Sequence, residues 1–381
     1  MAAILNNPFP AHGYHGPDYF CDREQETREM KSALINGRNI TLIARRKIGK
    51  TSLLHHLSQE LRNSRPSWKI IYVDLMQTSS LSGLYKELAR ALFEERKKSK
   101  VWNLPDLNIL ARLRMSLSVD PVTQMPQMNF DLKENQAEPA LRNLLNWIAE
   151  EKNCLIILDE FQQILTYSEP HVEGWIRGEV QRLAGVRFIF SGSDQHILTE
   201  MFTNAGRPFY RSTQSFQLSF IDPALYTEYI ESKFKKARRK ISKEALDYIL
   251  SATEGETLAV QLLCNAIFES GSPEITLPIA QQSLQAVIAM SKADYEKVRA
   301  VLKPDSVMFA ALRAIARYGP VEQINSREFV EASGILNTSS ILKSVQSLLK
   351  YSLISRRVDA AGRLVYEVDD TIFKLWLNAL P

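Results

Sequence analysis

Apolar and polar positions alternate in blocks along the first 220 residues. Short, nearly continuous apolar runs at 40–43, 69–75, 154–159 and 187–191, with 216–218 as a fifth candidate, are separated by stretches whose apolar residues recur three and four apart. Runs of this kind fit strands buried on both faces. Helical segments between them imply a mostly parallel sheet covered on both sides. Ahead of the first run, a Pro- and Gly-rich lead-in (residues 1–38) reads as a loop and then a helix to about Leu34, with Asp22 or a neighbour as its cap. Between 98 and 138 the block pattern lapses, and "MSLSVDPVTQMPQMNFDL" alternates on both sides of "DPVTQ", which is a hairpin signal.

From 222 the pattern is helical, through "PALYTEYIESKFKKA", "SKEALDYILSAT" and "TLAVQLLCNAIFES". Beyond about 306, helices are expected near 306–318, 326–332 and 338–350. Two strand-like stretches follow, "LISRRV" and "LVYEV", joined by "DAAGR". Three helices and a hairpin in that order describe a winged helix. The expected domains are therefore 1–221, 222–300 and 301–381.

Length and composition agree with this division. A chain of 381 residues exceeds one ordinary core, and 45% hydrophobic with 24% charged residues is a soluble globular composition. The net charge of +4 does not by itself imply nucleic acid. Cys21, Cys154 and Cys264 lie far apart without metal-ligand spacing, as reduced thiols of a cytoplasmic protein would. Neither a signal peptide nor an apolar run near ~20 residues is seen, so no membrane span is expected.

Chemistry enters at "ITLIARRKIGKTSLLHHL", residues 40–57. A phosphate-binding loop needs a buried strand, a turn of inward-facing amides, a lysine for the terminal phosphates, and a hydroxyl for magnesium at a helix N-terminus. Ala44, Arg45, Arg46, Lys47, Ile48, Gly49, Lys50, Thr51 and Ser52 supply all of these except the first glycine of the usual pattern, which is here Ala44. If that position required a left-handed backbone, alanine would cost roughly 1–2 kcal/mol. The partner acid is in "CLIILDEF": Asp159 closes an apolar run, where it would hold magnesium through water, and Glu160 beside it would orient or deprotonate an attacking water.

Taken together, "ARRKIGKTS", "LIILDEFQQI", "FIFSGSD", "FYRST" and "YEVDDTIFKLWL" resemble the archaeal-type ATPases of the STAND branch of AAA-like P-loop NTPases, and the opening "NPF…GPDYFCDREQET" is similar to the lead-in of a bacterial subgroup. The resemblance runs from about Asn7 to Trp376. It implies an α/β P-loop NTPase with a mostly parallel five-stranded sheet, a helical lid domain and a C-terminal winged-helix domain, with ATP and Mg2+ as cofactors.

The resemblance also implies roles. Ser193 falls at the sensor position, after a strand lying between the loop strand and the Asp159 strand. Arg211, with Arg207 as rival, falls where relatives carry an arginine that reaches a neighbouring nucleotide. Asp22 and Arg23, with Glu24, match a box that packs near the adenine, and Phe9 and Phe20 are candidate ring contacts. "EGET" (254–257) lacks the lid proline of signalling members, so no contact is assigned there.

A winged helix commonly places its third helix in the DNA major groove. Here that helix would offer Ser339, Lys343, Gln346 and Lys350, with Arg356, Arg357 and Arg363 on the wing. Residues 301–381 carry ten Lys/Arg against eight Asp/Glu, a net of +2, so docking on the ATPase or on a partner protein competes with DNA. The basic run "KFKKARRKISK" (233–243) reads as a solvated helix face, and "EERKKSK" reads the same way. The functional expectation is a Mg2+- and ATP-dependent molecular switch with slow hydrolysis, with a protein partner or a homo-oligomer as candidate assemblies. The alternatives are a DNA-binding regulator in which nucleotide is mainly structural, and a binder without turnover.

Overall fold

In the computed structural model, the structure describes residues 5–97, 115–119, 126–130, 132, 136–150, 153–335, 338–359 and 361–381. The elements in chain order begin with α1 (Glu24–Ile35), β1 (Ile40–Ala44), α2 (Lys50–Ser64), β2 (Lys69–Asp74) and α3 (Leu81–Lys97). A hairpin, β3 (Met115–Val119) and β4 (Pro126–Phe130), precedes α4 (Ala137–Glu150), β5 (Cys154–Asp159), α5 (Val172–Arg182), β6 (Val186–Gly192), α6 (Gln195–Thr203) and β7 (Gln214–Leu218).

Five strands form one parallel sheet in the order β2-β5-β6-β1-β7. Burial on both faces follows from alternation within each apolar run. Leu155 and Ile157 of β5, with Ile40, Leu42 and Ala44 of β1, pack on the side of α1 and α2. Cys154, Ile156 and Leu158 face the cluster built with α3, α4, α5 and α6. The sheet edge β7 alternates half-buried and exposed residues, as an edge strand should. The hairpin strands pair from Met115 with Phe130 to Val119 with Pro126, while the connecting turn at 120–125 lies outside the described residues.

The helical unit comprises α7 (Pro223–Lys236), the short strand β8 (Lys240–Ile241), α8 (Lys243–Ala252), α9 (Thr257–Glu269), the short strand β9 (Glu274–Ile275) and α10 (Leu277–Leu302). The last unit is α11 (Val307–Tyr318), α12 (Arg327–Ser333), α13 (Thr338–Lys350), the antiparallel wing β10 (Ile354–Val358) and β11 (Leu364–Val368), and a final α14 (Thr371–Ala379). The 26-residue α10 joins them: Ile288 and Tyr295 pack against both the helical-unit core and the winged-helix core. A boundary at 300/301 thus falls inside its last turn.

Three expectations need correction. Asp22 does not cap α1; the cap position is Arg23, in a left-handed conformation with no side-chain cap. Phe9 is fully buried in the lid core, 5.0 Å from the ring of Phe234, and is no part of the cleft. In the run 233–243, Lys235, Lys236, Arg238, Lys240 and Lys243 are exposed as expected, but α7 stops at Lys236 and Lys233 is buried, donating to the Asp18 carbonyl and lying 5.0 Å from the ring of Tyr229. Its aliphatic stem packs while the ammonium takes a carbonyl and aromatic faces in place of water.

Candidate functional site

The loop between β1 and α2 resolves the question posed by Ala44. That residue ends β1, buried and paired with Leu218, with no left-handed backbone. The left-handed positions are Lys47 (φ 64°) and Gly49 (φ 90°), the latter capping α2. The roughly 1–2 kcal/mol of a left-handed side chain is therefore borne by Lys47. The Lys47 carbonyl accepts the Leu258 amide at 3.0 Å, so a lid contact holds the turn.

Beyond the turn, Lys50 and the two acids form one network. Lys50 Nζ donates to Asp159 Oδ1 and, at 2.7 Å, to Glu160 Oε1. Asp159 Oδ1 also accepts from Ser191 Oγ at 2.7 Å. Its Oδ2 accepts from Tyr72 Oη at 2.7 Å and Thr51 Oγ1 at 3.4 Å. Glu160, at φ 52°, turns its Oε2 to the Ser193 hydroxyl (2.8 Å), the Ser193 amide (3.2 Å) and Gln162 Nε2 (2.6 Å). Burial pushes both carboxyls up, but the Lys50 ammonium more than reverses this and holds each below its ordinary value. Burial likewise opposes charge on Lys50, and Asp159 followed by Glu160 outweigh it, raising its pKa.

One ammonium therefore faces two carboxylates. The donor set of a hydroxyl (Thr51), a carboxylate (Asp159) and an adjacent acid leaves one excess negative charge, which fits a hard divalent cation such as magnesium. Among the described residues no cluster of three or more His, Cys, Asp or Glu is placed to hold a metal ion.

Above this network opens a cleft of about 510 Å³. Arg45, Arg46, Lys47, Ile48, Gly49, Lys50, Thr51 and Ser52 line it, with Glu160, Ser193 and Arg23. Ala44 and Asp159 lie beneath it as buried residues, and Asp22 and Arg211 are not among its walls. The Arg23 guanidinium is already committed to the Ser219 carbonyl (2.5 Å) and Glu26 (2.8 Å). Phe20 does line the cleft, its ring stacked 4.3 Å from His56. The lid supplies Thr257, Leu258 and Gln261, which the sequence did not single out; without the lid proline, nothing local marked them. Arg211 is exposed in the α6–β7 connection, over the Tyr210 ring, and Arg207 pairs with Glu173 at 3.0 Å.

The loop's cations point to the winged helix. Arg45 pairs with Glu367 (3.1 Å), Arg46 with Asp369 (3.9 Å) and Lys47 with Asp370 (2.5 Å). Arg46 also donates to Ser352 O (3.2 Å) and Oγ (3.0 Å) and, through Nε, to Ser193 Oγ at 3.2 Å. Nearby, Glu256 of the lid accepts from the Thr371 amide (3.0 Å) and hydroxyl (2.7 Å) at the start of α14.

On the winged helix, Ser339, Lys343, Gln346 and Lys350 are exposed along α13. On the wing, Arg356 is half-buried, while Arg357 is tied to Glu367 (2.7 Å) and Arg363 to Glu322 and Asp359. Two of the three wing cations are therefore spent within the domain.

With this geometry in place, the likeness to known proteins is informative. Residues 35–200 match the model of an AAA domain, and residues 293–379 that of a probable winged helix domain. The chain joins an AAA-type P-loop domain to a winged helix. No curated protein matches it. Among solved structures, it is similar to the Walker-type ATPase PABY2304 of Pyrococcus abyssi, at 17% identity over 97% of this chain and 99% of that one, with a TM-score of 0.66. The Aeropyrum pernix ORC1 protein in complex with DNA is similar at 12% identity over 98% and 96%, TM-score 0.55. The ORC2 protein of the same organism is similar at 14% over 98% and 99%, TM-score 0.50. At such identities the likeness is one of fold. Among the described residues no helix is long and apolar enough to cross a membrane.

Proposed function

We propose that this chain is an ATP- and Mg2+-dependent switch of the STAND type, in which slow hydrolysis in the AAA domain governs the hold on the winged helix. The observation that carries this reading is Arg46, one guanidinium that touches the Ser193 hydroxyl at the phosphate end of the cleft and Ser352 and Asp369 of the winged helix. The loop amides and the N-terminus of α2 receive phosphate charge. Lys50 turns from the two acids to the terminal phosphates, and Glu160, freed of it, accepts a proton from the attacking water. Thr51 and Asp159 would hold magnesium, which when bound neutralises charge on the phosphates. A phosphoryl group at Ser193 takes over its hydroxyl, so Arg46 loses one anchor and the acidic row 367–370 is loosened.

Two experiments test this reading. Calorimetry should register Mg2+-dependent ATP uptake, and its absence would remove the proposal. Asp370→Asn, which keeps an acceptor for the Phe373 amide at the start of α14 and removes only the charge, should weaken the docked state by ~1 kcal/mol, the scale of a partly exposed pair, and speed protease cleavage between lid and winged helix without ATP. Equal cleavage with and without the substitution would detach the ion pairs from the switch. The Tyr72 hydroxyl on Asp159 Oδ2 suggests a further outcome. Tyr72→Phe should raise the Mg2+ needed for nucleotide binding about tenfold while Mg2+-free binding stays the same, as titrations at several Mg2+ concentrations would read.

A second reading, a DNA-binding regulator, is favoured by the exposed Lys343, Gln346 and Lys350 on α13. A duplex-binding assay across salt concentrations should show a steep slope if this surface meets phosphates, and a flat one rejects it. A trans-acting Arg211 requires an oligomer, which light scattering with and without ATP would reveal.

A further inference from the structure

We infer that Gln162 is a positioning residue for Glu160, that Gly192 exists to seat it, and that the two oxygens of Glu160 have separate tasks. The inference rests on the hydrolytic reading above and deepens it. Glu160 Oε2 is held by three donors from the protein itself: Gln162 Nε2 at 2.6 Å, Ser193 Oγ at 2.8 Å and the Ser193 amide at 3.2 Å. Among the described residues Oε1 has one partner, Lys50 at 2.7 Å, which is the group that phosphate would draw away. Oε2 is thus the anchored oxygen and Oε1 the working one: when Lys50 leaves, Oε1 is the acceptor set free toward the cleft, and the carboxylate cannot swing because its other oxygen stays pinned.

Gln162 reaches this position through a gap that only glycine leaves. A methyl group on Gly192 would overlap Gln162 Oε1, which is buried without a hydrogen-bond partner. Gly192 has no left-handed backbone, so conformational freedom does not explain the glycine; the close approach does. That side chain has one polar end donating to Glu160 and the other facing Gly192, so that among the described residues its one hydrogen bond is the one that orients Glu160. The rule that a catalytic group must be held within a fraction of an ångström gives the arrangement its purpose.

The test is a double-mutant cycle. Gln162→Ala and Gly192→Ala should each lower kcat about tenfold or more while leaving the dissociation constant for ATP unchanged. The double variant should be no slower than either single one, because both remove the same contact. Gln162→Met, which keeps the length of the side chain without its donor, should lose as much as Gln162→Ala, whereas a purely packing role would let it recover. Unchanged kcat, additive losses or recovery in Gln162→Met would overturn the assignment. Should the unmutated chain bind ATP but turn none over, the hydrolytic reading falls by itself. The positioning of Glu160 is then read from crystal structures of Gln162→Ala and Gly192→Ala, in which the Glu160 carboxylate must leave the place it holds in the unmutated chain, and a carboxylate unmoved in both sinks the inference.

Discussion

Glu160→Gln should lower ATP hydrolysis by ~10²–10⁴-fold, the usual contribution of a general base, and leave ATP binding intact or tighter. The sign of the second effect comes from the Lys50 network. Lys50 is held between Asp159 and Glu160, so nucleotide must compete with both carboxylates for it. Replacing one carboxylate with a neutral amide removes part of that competition. Phosphate release and calorimetry on the same preparation separate the two effects. Unchanged turnover removes the assigned role from Glu160, and a loss of binding comparable to the loss of turnover would mean that the variant had damaged the cleft.

The second large effect concerns pH and Glu256. Burial pushes this carboxyl up to about 7, from an ordinary 4.5, against the opposing pull of the two Thr371 hydrogen bonds and Lys47. In the unfolded chain the group loses its proton near 4.5. Between those values the folded form holds the extra proton, so stability falls as pH rises from about 4.5 to 7 and stays lower above. The span corresponds to about 3 kcal/mol. Glu256→Gln keeps an acceptor for the Thr371 donors and carries no charge. The unit formed by lid and winged helix should then unfold at higher denaturant at pH 8, with little change at pH 4.5. Parallel pH profiles for the two proteins would show that Glu256 stays charged in the fold.

Much of this molecule is legible in its sequence where the signal is local. Apolar runs set the central strands of the sheet, because β1, β5 and β6 are buried on both faces. The residue types at 49–51 and 159–160 lie where strand ends and a helix N-terminus converge, and that convergence is a property of parallel α/β topology. Tyr72, Gln162 and Gly192 carried no local signal. Their importance arises from a register that sets β2 beside β5 and β6 beside β5, which no window of sequence contains. The pairing of the loop's Arg45, Arg46 and Lys47 with the acids at 367–370 spans more than 300 residues, so those cations read as phosphate ligands alone. Lys233 was misread because periodicity marks which face is covered but not what a lysine stem covers.

The unbroken α10 has a mechanical meaning. Its 26 residues span about 39 Å, and its two ends are embedded in different cores. On the switch reading, a pivot of about five degrees about its lid end would displace its winged-helix end by roughly 3 Å, enough to part a row of ion pairs whose reach is a single side chain. The helix would then act as a lever arm, turning a small tilt of the lid into travel at the winged helix.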